Sequence, residues 1–87
     1  MGMGEKLASQ LWEIRARMEK DGWKIDVLEE RGIVIVRGTS PGFHVSPYEG
    51  SRPGRIGAKA EADAFREFLE NIAPRHGQYL EMLKKES

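Results

Sequence analysis

The chain has no cysteine, no net charge and no apolar run long enough to cross a bilayer. Without cysteine there is no disulfide, no thiolate nucleophile and no cysteine-bound metal. A reducing compartment fits that usage, and a cytoplasmic protein is expected. The N-terminus carries no signal-like apolar segment, so no membrane partner is expected either. Fourteen basic residues cancel fourteen acidic ones, which excludes attachment to nucleic acid by bulk charge alone. The two histidines, His44 and His76, lie far apart and show no metal-ligand spacing such as H-E-x-x-H, so neither metal nor cofactor is expected.

What is present is concentrated. The run from Gly38 to Gly57 holds half of the ten glycines and three of the four prolines. It also holds Phe43, His44, Tyr48, Arg52 and Arg55. In an 87-residue chain, which reads as one small α+β domain with frayed ends at residues 1–4 and 86–87, a long irregular stretch points to function or disorder. With Lys59 this segment is locally basic, and the stretch after it is acidic.

On either side the pattern is regular. Leu7, Leu11, Ile14 and Met18 mark one face of a helix over residues 5–21. Gly22 is placed to be its left-handed C′ residue, with Trp23 following to pack on Met18. Trp23, Ile25 and Val27 alternate with Lys24 and Asp26 as in a half-buried strand. Glu29–Gly32 reads as a type I turn with a bulge at Gly32. Ile33–Val36 is apolar on both faces and so reads as a central strand. A third strand is then needed, and Phe43–Ser46, bracketed by Pro41 and Pro47, is the candidate. Ala62, Phe65, Leu69 and Ile72 form a second helical stripe that should stop before Pro74. A short helix carrying Tyr79, Leu80, Met82 and Leu83 follows. The fold expected is α+β: α-β-β-β-α plus a short C-terminal helix, with a three-stranded antiparallel sheet and the helices on one face.

Three sets of residues invite chemistry. Arg52, Arg55 and Lys59 lie among glycines at the entry to the second helix, where backbone N–H groups and cations together suit a phosphate. Arg37 adds a further cation, and Tyr48 adds a ring on which a base could stack. His44 has the pKa range of a general acid or base, without a legible nucleophile beside it. Trp12 lies one position off its helix stripe, either flanking the core or projecting as an interface anchor. Glu61, Asp63, Glu67 and Glu70 read as a solvated helix face.

The α-β-β-β-α order over residues 5–73 resembles the double-stranded-RNA-binding domain. Gly54-Arg55-Ile56-Gly57-Ala58-Lys59-Ala60-Glu61-Ala62 is similar to that family's Gly-rich approach to a basic helix start. Lys59 and Ala62 fit its K-K-x-A-K pattern, and Ala60 and Asp63 stand at the other two lysines. The resemblance implies phosphate contacts at that helix start. The order also resembles the HicA mRNA-interferase toxins, whose glycine–histidine pair has a counterpart in Gly42-Phe43-His44; that resemblance implies a ribonuclease acting through His44. Taken together, the residues point to a non-enzymatic binding or regulatory module. Its loop 47–57 and the following helix start would meet a phosphate-bearing partner, in particular nucleic acid. The alternatives are a protein-interaction module, including a homodimer, and a His44 ribonuclease.

Overall fold

A computed structural model describes residues 3–42, 47–55 and 57–86. Its elements in chain order are α1 (Met3–Lys20), β1 (Lys24–Glu30), β2 (Ile33–Thr39), β3 (Tyr48–Pro53), α2 (Ala58–His76) and α3 (Gln78–Glu86). The strands form one antiparallel sheet in the order β1-β2-β3, with β2 central as its apolar sequence requires. α2 packs across β2 and β3, and α1 and α3 pack against it and each other.

α1 ends in the motif its sequence announces. The Gly22 N–H donates to the Glu19 carbonyl at 3.1 Å and the Trp23 N–H to the Met18 carbonyl at 3.0 Å, with Gly22 at φ 106°. That is a Schellman cap, and it buries Trp23 and Met18 together. Trp23 then stands at the centre of an aromatic cluster. The rings of Tyr48, Phe68 and Tyr79 each lie 6.1 Å from it and that of His76 lies 5.0 Å from it.

The β1–β2 hairpin corrects the expected bulge. Glu30 pairs directly with Ile33, leaving a two-residue loop. Arg31 and Gly32 both have positive φ, 52° and 75°, as a type I′ turn demands. A type I turn would splay the strands against their right-handed twist.

The third strand is Tyr48–Pro53, inside the segment read as a loop; Phe43–Ser46 lies outside the described residues. Gly50 and Pro53 have poor strand propensity, but the site asks for something else. A Cβ on Gly50 would strike the Phe68 amide nitrogen and the Ala64 carbonyl oxygen. The helix backbone therefore rests directly on this strand. Gly38, on β2 two residues beyond Gly50's partner Val36, makes room for the Phe68 ring.

α2 also runs past its expected end, with Pro74 inside its last turn. A proline there forfeits one intrahelical bond. The turn persists because His76 packs against the Trp23 and Tyr48 rings. Gly77 has an ordinary helical φ of −71°, and α3 begins at the next residue.

α3 is fastened by Tyr79, which is buried and donates its hydroxyl to Asp21 Oδ2 at 2.6 Å. Burial, and then the carboxylate beside it, raise the tyrosine pKa above 10.0. The Tyr79 hydrogen bond, helped by Arg17, lowers that of Asp21 below 3.8. The tyrosine contribution is complete below the unfolded value of 10.0 and is lost as pH rises through the folded pKa. The aspartate contribution is present above 3.8 and is lost as pH falls through its folded pKa. Tyr79→Phe should lower stability at neutral pH by about 1 kcal/mol in urea titrations. It should also make the decline above pH 10 shallower than in the parent chain; an unaltered decline would contradict this assignment.

Candidate functional site

The start of α2 and the end of β3 meet at one edge of the sheet. Arg52 sits opposite Val34 in the register, on the helix-bearing side. Gly54, at φ 137°, turns the chain out of β3, and its N–H donates to the Gly32 carbonyl at 2.8 Å, tying this turn to the hairpin tip. Gly57 is the N-cap of α2 and offers no side-chain acceptor. The first helical bond runs from the Glu61 N–H to the Gly57 carbonyl at 2.9 Å. The N–H groups of the first turn thus keep their capacity for an anion, at the positive end of the helix.

Arg52, Arg55 and Lys59 converge here. With Gly57, Ala60 and Asp63 they line an open groove of about 450 Å³. Asp63 supplies the one acidic side chain among the groove's lining residues, and two carboxylates further along α2 are already engaged. Glu67 accepts the Ser51 N–H at 3.0 Å and lies 4.0 Å from Arg52 Nε. Glu70 lies 4.0 Å from Arg66 Nε. Arg55 and Lys59 are exposed and have no carboxylate partner among the described residues. Exposed pairs such as Arg52–Glu67 hold an arginine weakly, so an incoming phosphate can replace the carboxylate.

The other two expected binding residues stand elsewhere. Arg37 is on the opposite face of the sheet, its Nε 2.6 Å from Glu49 Oε2 of the neighbouring strand. Tyr48 packs its ring between Trp23 and His76, 6.1 and 6.0 Å from their centroids. His44 lies outside the described residues.

Reading Glu67 as merely solvated misses its part. Asp63, Glu67 and Asn71 follow one another at i, i+4 and i+8, a polar stripe facing the β3 edge. Glu67 takes the outward Ser51 N–H, and Asn71 Nδ2 donates to the outward Glu49 carbonyl at 2.6 Å. The spacing was visible in the sequence, but without the strand's position nothing distinguished it from a solvated face.

A second, smaller groove of about 110 Å³ opens between α1 and α2, with Leu11, Val27 and Phe65 among its lining. Trp12 stands at it 67% exposed, with the Arg15 guanidinium carbon 5.7 Å from its ring centre. No helix of the described chain is long and apolar enough to cross a membrane. No protein-family model, curated protein or solved structure matches this chain.

Proposed function

We propose that this chain is a non-enzymatic binding module that takes the phosphate backbone of a nucleic acid at the start of α2. The observation that carries the reading is the convergence of Arg52, Arg55 and Lys59 on one groove beside an uncapped helix N-terminus. Guanidinium and ammonium groups match phosphate oxygens, and the helix end adds backbone donors. The element order shared with the double-stranded-RNA-binding domain supports it, since that family contacts phosphates at the same helix start. Lys59 alone stands among the three lysine positions there, and Arg52 and Arg55 supply cations from the strand side instead. Arg37, on the far face, lies outside this contact.

Fluorescence anisotropy across a salt series, with duplex RNA, single-stranded RNA and duplex DNA, tests the reading. Three neutralised phosphates give log K against log salt a slope of about −3 on duplex DNA. Arg55→Glu with Lys59→Glu should weaken binding by roughly tenfold or more and flatten the slope by about two. Arg37→Gln should leave both unchanged. Absence of binding at low salt, or a double variant that binds like the parent, would overturn the assignment.

A further inference from the structure

The two edges of the sheet are finished differently. On β3, α2 side chains occupy the outward Ser51 N–H and Glu49 carbonyl. On β1 the tight hairpin decides which groups face out. Glu30 and Ile33 flank the two-residue loop as a bonded pair, so Leu28, Asp26 and Lys24 also direct their backbone groups to β2. Ile25, Val27 and Glu29 direct theirs away from the sheet. Arg15 Nη2 reaches the Ile25 carbonyl at 3.4 Å, a long contact. The outward N–H and carbonyl of Val27 have no partner among the described residues.

We propose that two copies of this chain pair antiparallel along β1, about a two-fold axis at Val27, to form one continuous six-stranded sheet. The open N–H and carbonyl of Val27 are a template for such addition, and a two-fold uses the same surface from both copies. The charges select the register. Centred on Val27, Lys24 lies opposite Glu30 of the partner subunit, and the reverse pair repeats it. Ile25 lies opposite Glu29 of the partner subunit, and Asp26 opposite Leu28 of the partner subunit. Sliding one copy by two residues toward the turn places Asp26 opposite Glu30 of the partner subunit. Sliding it the other way places Asp26 opposite Asp26 of the partner subunit. Both alternatives set acid against acid at cross-strand distance, which is unfavourable. The groove carrying Trp12 includes Val27, so it opens beside the two-fold and the exposed indole gains cover there. The phosphate groove, at the β3 end of the sheet, stays open in both copies, and neither proposal depends on the other.

Sedimentation equilibrium of the full chain tests this from about 10 µM to about 1 mM. The mass should rise from 9.9 kDa toward twice that value. Lys24→Glu sets like charges opposite each other twice and should raise the dimer Kd roughly tenfold or more. Lys24→Glu with Glu30→Lys restores both pairs and should restore the dimer. Val27→Pro removes an N–H that the folded monomer does not use and should leave a monomer with an unaltered far-ultraviolet spectrum. A mass that stays at 9.9 kDa throughout the range would overturn the proposal. So would a dimer that tolerates Lys24→Glu, or one that the charge swap fails to restore.

Discussion

Gly50→Ala should lower stability by about 3 kcal/mol or more, a large share of what a chain of this length has. Backbone preference alone points the other way. Replacing glycine by alanine in an extended segment narrows the unfolded ensemble and commonly stabilises by about 0.4–1 kcal/mol. Here the new methyl would meet the Phe68 nitrogen and the Ala64 oxygen, and would lie 2.6 Å from the Phe68 Cα. Those are helix backbone atoms, which no side-chain rotation can move aside. The helix must lift from β3, and that lift strains the Ser51–Glu67 and Glu49–Asn71 bonds and loosens Phe68, Leu69 and Ile72, all fully buried. A chain of this length has a total stability of only about 4–13 kcal/mol. Gly57→Ala is the control for steric room: φ is 173°, an extended value any residue adopts, the nearest atom to its Cβ is 3.9 Å away, and only the N-cap preference for glycine over alanine, about 1 kcal/mol, is lost. Urea titration of the two variants reads the difference. A stabilised Gly50→Ala would mean that α2 does not rest on this strand.

Trp23→Ala should lower stability by about 3–5 kcal/mol. Trp23 is 4% exposed and touches the rings of Tyr48, Phe68, His76 and Tyr79, contributed by β3, α2 and α3. Its removal leaves a cavity where the end of α1, the sheet and both later helices meet. The Schellman bonds are backbone bonds and survive the change, so the loss isolates side-chain packing. Trp23→Phe retains part of the ring contact and should fall between the two. Trp12→Ala, which removes a 67% exposed indole, should change monomer stability by less than about 0.5 kcal/mol. Thermal denaturation at low chain concentration compares the two tryptophans directly. Equal losses would contradict the burial of Trp23 and the exposure of Trp12.

The parts of the fold legible in the sequence are those set by short-range rules. Leu11, Ile14 and Met18 are spaced for a helix face and are buried on one. Gly22 and Trp23 close that helix because only glycine adopts the left-handed φ readily and the apolar residue after it has a partner one turn back. Ile33–Val36 is central because its β-branched residues favour a strand flanked by a neighbour on each side, with Val34 and Val36 turned to the helices. The site was legible in part: the cations entering α2 do share a groove, while Arg37 and Tyr48 are parted from them by the alternation of strand side chains.

By itself, then, the sequence determined an α+β chain with a central apolar strand, a capped first helix and a basic approach to the second, since each follows from periodicity, propensity or turn chemistry within a few residues. The tertiary structure alone decided which segment is the third strand. Tyr48–Pro53 carries two residues that sequence rules count against a strand, a glycine and a proline. It is one because the glycine admits the backbone of α2, the proline falls at the strand's end, and Glu67 and Asn71 satisfy the edge from 16 and 22 residues away. Contacts of that range leave no trace in local pattern. They also fixed where the cations stand, turning a loop of scattered charges into a strand edge and a helix start that share one groove.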